Sequence, residues 1–220
     1  MQQGHIHLHE VEIFVLDEVD RMLDMGFITD IKRVLGKLPC ERQTLFFSAT
    51  MPPKMEELAQ TMVRNPVRVA IAPDEQTLKS ITQKVLFVGQ PDKSALLVSL
   101  LNELPASKVL IFTQMKHAAN KVAKTMEQAG IRSTAIHGNK TQAARTRALD
   151  GFKRGRFQVL VATDVAARGL DVDDITHVIN HDLPMEAETY VHRIGRTARA
   201  GMDGNAISFC SAEDRALLRD

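Results

Sequence analysis

The sequence contains no Trp and a single Tyr, so a surface that grips single strands by stacking bases on aromatic rings is not indicated. Its two cysteines, Cys40 and Cys210, have neither metal nor redox spacing, and a reduced cytoplasmic compartment is the plain expectation. No apolar run approaches the roughly 20 residues that a membrane-spanning helix needs. Met1-Gln2-Gln3-Gly4-His5 lacks a basic stretch followed by an apolar core, which excludes a secretory signal there. The alternating His5, His7 and His9 have no evident fourth ligand and read as an exposed segment rather than a metal site. Repeats and low-complexity tracts are also missing. One further absence weighs most: no Gly-x-x-x-x-Gly-Lys-Ser/Thr phosphate loop occurs anywhere.

What is present is an ordinary globular composition, 44% hydrophobic and 25% charged over 220 residues, enough for one large or two small domains. The net charge of +1 hides an asymmetry. Residues 1–75 carry 8 Lys+Arg against 12 Asp+Glu, and residues 76–220 carry 20 against 15. A basic second part suits a polyanionic partner, although a surplus of this size is weak evidence by itself.

Val11–Leu16 is an apolar run with one charge, the pattern of a strand buried on both faces. Ile31, Val34, Leu35 and Leu38 recur at helical spacing and predict a helix over Asp30–Leu38, stopped by Pro39. Gln43–Phe47 predicts a second short strand, Pro52-Pro53 opens a helix to about Met62, and Pro66–Ile71 is a third strand candidate. The polar, aperiodic stretch 72–80 reads as a linker. After it, strands are expected at Gln83–Val88, Lys108–Phe112, Arg132–Ile136, Gln158–Ala162, His177–Asn180 and Ala206–Phe209. Helices are expected at Asp92–Leu104, Lys116–Ala129, Thr141–Phe152 and Glu186–Ile194. This alternation implies an α/β fold with parallel sheets, one unit partial (1–71) and one complete (81–220). About three strands are too few for the first unit, and the chain stops within the helical pattern Ala212–Arg219, so a piece of a longer protein is expected.

Asp17-Glu18-Val19-Asp20 closes the first apolar run. Ligands of open α/β sheets bind beyond the carboxyl ends of strands. There Asp17 could hold Mg²⁺ through water and Glu18 could polarise an attacking water. A solvated acidic turn is the competing reading. Ser48-Ala49-Thr50 supplies two hydroxyls at another strand end, and its value lies only in its spacing from the acidic motif. His192, Arg196 and Arg199 fall at i, i+4, i+7 and are expected to share one helix face, placed to meet phosphate; a solvated basic face is the alternative. Thr163, at a strand-to-helix junction, could bind a backbone phosphate or simply cap a helix. Gln142 and Arg145 open a helix whose polar face could track a nucleic-acid backbone, or be an ordinary charged surface.

Val15–Phe27, Phe47–Thr50, Val161–Asp171 and Tyr190–Arg199 together resemble the DEAD-box RNA helicases, in the right order and spacing along nearly the whole chain. The wording is similar to the bacterial RhlE-type branch. The resemblance implies two RecA-like domains that close on ATP, Mg²⁺ and single-stranded RNA and separate short duplexes locally. It implies that Asp17 and Glu18 are the Mg²⁺-coordinating and water-activating carboxylates. Asp20 would link this motif to Ser48, Thr50 and His192. Asp171 would meet the ATP ribose, with Gly169, His192, Ser48 and Thr50 also on the nucleotide side. Arg196 and Arg199 would reach the γ-phosphate, and Thr113, Gln114, Gln142, Arg145 and Thr163 would face RNA. Other RNA-processing proteins are candidate partners.

Val19 stands where the family has Ala, which adds bulk and removes no functional group. The family's adenine-reading segment and phosphate loop would lie upstream of Met1, so this chain alone is expected to hydrolyse ATP poorly. A non-catalytic RNA- or protein-binding module is the reading from a different class, and a DNA helicase of the same superfamily is a third.

Overall fold

The computed structural model describes residues 6–24, 26–51, 53–70, 80–104, 107–167, 170, 172–199 and 201–218. Contacts divide the chain into two compact units, Met1–Ala72 and Pro73–Asp220. Apart from Ser80, the expected linker 72–80 lies outside the described residues.

In the first unit, β1 (Ile13–Leu16) pairs in parallel with β2 (Gln43–Phe46), with Leu16 opposite Phe46. Helices α1 (Val19–Asp24), α2 (Ile28–Leu35) and α3 (Pro53–Met62) complete the unit. Leu16, Val19, Ile31, Met55, Leu58 and Met62 form its core. Three expectations need correction. β1 is not buried on both faces: Ile13 and Val15 are exposed, because the two-stranded sheet carries its packed residues on the Leu16 side only. Residues 66–70 form no strand, since they have no ladder partner, and Val67 stands 89% exposed. Helix α2 starts and ends earlier than Asp30–Leu38, because the Gly36 and Leu38 amides close turns onto Lys32 and Leu35. The bulk of Val19 is absorbed: its side chain is fully buried in the core.

The second unit is a six-stranded, all-parallel sheet with order β3-β8-β7-β4-β6-β5. The strands are β3 (Ile81–Phe87), β4 (Val109–Phe112), β5 (Ser133–Ile136), β6 (Val159–Ala162), β7 (His177–Asn180) and β8 (Gly204–Cys210). Side chains along a strand alternate between faces. Val109, Ile111, Val159 and Val161 therefore pack with Leu97 and Leu101 of α4 (Lys93–Asn102) and Val122 and Met126 of α5 (Lys116–Gln128). Leu110, Phe112, Leu160 and Ala162 pack on the other face with Phe152 of α6 (Gln142–Lys153) and with α7 (Asp164–Ala167). Helix α8 (Ala187–Ile194) seats Ile194 and the half-buried Tyr190 against Ile81 and Ala206. The expected terminal helix is a 3-10 segment, Glu213–Leu218. Among the described residues no helix is long and apolar enough to cross a membrane.

Candidate functional site

In the first unit, the chain leaves β1 at Leu16 and must turn at once into α1. Glu18 makes that turn with φ +52°, a left-handed conformation that costs a residue with a Cβ on the order of 1–3 kcal/mol. The strain is held by its surroundings: the Asp17 carboxylate accepts the Glu18 amide at 2.9 Å, and the Val19 amide donates to the Phe47 carbonyl at 3.2 Å. The Asp17 side chain is exposed at the strand's carboxyl end and Glu18 is half-buried.

Asp20 is buried, and its Oδ2 accepts the amides of Ala49 and Thr50 at 3.1 and 3.0 Å and the Thr50 hydroxyl at 3.2 Å. The Ser48 hydroxyl accepts the Asp20 amide at 3.3 Å and donates to the Thr50 carbonyl at 2.7 Å. The two motifs, 28 to 30 residues apart, are thus locked together. Both hydroxyls are engaged within this lock.

In the second unit every strand is parallel, so all carboxyl ends fall on one edge of the sheet. β4, β6 and β5 are neighbours there. Thr113 and Gln114 follow β4, Thr163 follows β6, and Gln142 and Arg145 open α6 beyond β5. The five residues expected to face RNA therefore come from three adjacent strand ends. They differ in access: Gln114 and Gln142 are exposed and Arg145 half-buried, whereas Thr113 and Thr163 are buried. The Thr113 hydroxyl turns back onto the Met115 carbonyl at 3.4 Å. Thr141 caps α6, accepting the Ala144 amide at 3.3 Å, and Gln142 accepts from Arg145 at 3.4 Å. Beside this edge His137 touches Asn120 at 3.0 Å, and burial, then Lys140 and Lys116, hold its pKa below the usual histidine value.

His192, Arg196 and Arg199 do not share a helix face. α8 ends at Ile194, and the Gly195 amide caps it onto the Val191 carbonyl. Arg196 and Arg199 lie in the turn beyond, where Ala198 adopts φ +56°. Arg199 Nε donates to the Gly195 carbonyl at 3.0 Å, and Arg196 to the Leu170 carbonyl at 3.3 Å. Gly204 permits this turn, since a Cβ there would lie 2.5 Å from the Thr197 side chain and 2.7 Å from the Ala198 nitrogen. His192 is half-buried, and its Nδ1 has no hydrogen-bond partner among the described residues. Gly169 and Asp171 lie outside the described residues.

Residues 92–201 match the helicase conserved C-terminal domain, and residues 1–58 match the DEAD/DEAH box helicase domain. The chain belongs to the DEAD-box RNA helicase family. It is 43% identical over 215 residues to the ATP-dependent RNA helicase RhlB of Shewanella oneidensis, covering 97% of this chain and 49% of the relative. The RhlB of Shewanella putrefaciens is 45% identical at the same coverage. The chain thus spans about half the length of the curated relatives it matches. Among solved structures, Saccharomyces cerevisiae Dbp5 bound to RNA and ADP BeF3 superposes with a TM-score of 0.87 at 32% identity, covering all of this chain and 58% of that one. A DEAD-box protein from Methanococcus jannaschii gives a TM-score of 0.61 at 34% identity, covering 99% and 59%.

Two features of this family member escaped the sequence reading. Arg193, within the arginine motif, is buried and forms a fork with Asp164 at 2.6 and 2.8 Å. The signal was Asp164 itself, an acid directly after Thr163. Lys93 is buried between Asp182 at 3.6 Å and Asp214 at 3.3 Å, and nothing local in the sequence marks it. Burial opposes ionisation of Asp182, but bonds from His181 and the Gln114 amide and the Lys93 charge outweigh it and lower its pKa. Burial likewise opposes ionisation of Asp214, and bonds from Ser211 with the Lys93 charge lower its pKa.

Proposed function

We propose that this chain is the end of a nucleotide-handling domain (1–71) and a whole RNA-handling domain (81–220), joined by a linker (72–80), of an ATP-dependent RNA helicase that separates short duplexes locally. Support comes chiefly from one observation: the RNA-facing candidates collect at the carboxyl ends of β4, β6 and β5, where parallel α/β sheets bind ligands. The relatives' names and the RNA and nucleotide analogue named for the Dbp5 structure point the same way.

In this reading Glu18 orients the attacking water and accepts its proton, from the left-handed turn whose amide the Asp17 carboxylate accepts. Asp20 holds Ser48 and Thr50. Gly169 and Asp171 serve the nucleotide, and Arg196 and Arg199 meet phosphate charge. Gln114, Gln142, Arg145 and Thr163, with Thr113 beneath them, position the RNA backbone. The residues fit Mg²⁺: one exposed carboxylate, Asp17, suits an ion that keeps most of its waters and takes its other ligands from phosphate. Bound there, the ion would neutralise phosphate charge. Cytoplasmic location and further RNA-processing partners belong to the same proposal. So does membership of the RhlE-type branch, which rests on the wording of Val15–Phe27, Phe47–Thr50, Val161–Asp171 and Tyr190–Arg199 together, while the relatives matched above carry the RhlB name.

The test is steady-state ATP hydrolysis with and without RNA, on this chain and on a longer version that supplies a phosphate loop. The longer version should show RNA-stimulated turnover that Glu18→Gln abolishes and Arg199→Ala lowers by on the order of 10³-fold or more. This chain alone should show little. Turnover by neither, with RNA binding intact, would favour the non-catalytic binding module. Robust turnover by this chain, abolished by Glu18→Gln, would refute its expected incompleteness.

A further inference from the structure

Arg193 lies among residues read as phosphate-binding, yet it is nearly inaccessible, with 2% of its side chain exposed. All three of its nitrogens bond inside the protein. Nε and one terminal nitrogen grip Asp164, and the other bonds the Asn180 side chain at 3.1 Å and the Asp182 carbonyl at 2.6 Å. The guanidinium lies 5.0 Å from the centre of the Phe112 ring. The groups it holds are the ends of β6, β7 and β4. Asp164 directly follows Thr163. Asp182 accepts the Gln114 amide at 3.1 Å, and Gln114 returns a bond to the Leu183 carbonyl at 2.8 Å.

We propose that Arg193 is a positioning residue, which through Asp164 and Asp182 sets Thr163 and Gln114 in the geometry that RNA requires and ties that edge to the turn carrying Arg196 and Arg199. The inference rests on the RNA-binding reading above. A buried guanidinium is suited to this work because its planar fork fixes direction as well as distance.

The test uses the 220-residue chain and a fluorescein-labelled single-stranded oligouridylate, with affinity measured across a salt series. Asp164→Asn removes a negative charge beside a polyanion, so an electrostatic account expects tighter binding. Positioning expects the reverse, a loss on the order of fivefold. The slope of affinity against salt should stay constant, because no phosphate-contacting cation is lost. Arg193→Lys keeps the charge but loses the fork, and should weaken binding similarly; it also carries the test if Asp164→Asn does not fold. Val122→Ala, a core change in α5, controls for lost stability and should leave affinity unchanged. Unchanged or tighter binding by folded Asp164→Asn or Arg193→Lys overturns the inference alone. An equal loss in Val122→Ala also overturns it. Failure of the unaltered chain to bind the oligonucleotide overturns the RNA reading, and this inference with it.

Discussion

Strands β1 and β4 are built from the same four residues in different order, Ile-Phe-Val-Leu and Val-Leu-Ile-Phe. In β4 all four are buried. In β1 Ile13 is 59% and Val15 51% exposed, and only Leu16 is buried. Composition therefore does not set burial. β4 has a strand on each side, β7 and β6, and helices over both faces. Among the described residues β1 has one neighbour, β2, and one packed face. The ion pairs repeat the contrast. In the second unit's Arg193–Asp164 pair the side chains are 2% and 28% exposed, whereas in the first unit's Arg33–Asp30 they are 64% and 60% exposed.

The strongest challenge to this contrast is amide hydrogen exchange. Val109–Phe112 and Val159–Ala162 should exchange at rates set by opening of the whole second unit, and Ile13–Leu16 much faster through local opening. Equal or reversed protection would break the comparison.

The ion pairs come next. Arg193→Ala leaves the buried Asn180 side chain and the Asp182 carbonyl without their partner and the half-buried Asp164 unpaired. In urea unfolding it should cost about 1–3 kcal/mol for each partner stranded, enough to risk the fold. Arg33→Ala should cost less than about 0.5 kcal/mol. Core truncations should follow the same order. Met126→Ala, on the packed face of α5, should cost about 2–5 kcal/mol, and Val15→Ala less than about 1 kcal/mol. A large loss for Val15→Ala would show that β1 is covered in solution.

The smallest effect is that of pH. Burial, then Lys140 and Lys116, lower the pKa of His137, and burial lowers that of His177. The unfolded chain then binds more protons below the ordinary value of 6.5, so stability falls as pH drops through that region. Asp182 and Asp214, whose folded pKa values are lowered, contribute stability above the ordinary 3.8 and lose it only as pH falls through their folded values. The second unit's urea midpoint should therefore decline from about pH 7 to about pH 5, then fall again in stronger acid. A midpoint that rose between pH 7 and 5 would contradict the assignment.

Much of this was legible in the residues. Short apolar runs alternating with period-3.6 segments located all six strands and four main helices of the second unit, because strands covered on both faces, such as Val109–Phe112 and Val159–Ala162, read as continuous apolar runs. The acidic motif and Ser48-Ala49-Thr50 were recognisable as a pair, and the Asp20 lock is the physical content of their spacing. The arginines were harder. A helical projection from His192 assumed that the helix continued, whereas Gly195 and the left-handed Ala198 end it.

The sequence alone determined the alternation of strands and helices, and with it a parallel sheet whose strand ends share one edge. Local periodicity and residue chemistry suffice for that, since they act between near neighbours. Only the tertiary structure decided which of four similar apolar residues are dry, and which arginine of one motif is buried. Those outcomes depend on which distant strand ends and helices arrive beside a residue. Burial and pairing belong to the assembled sheet, not to any one segment.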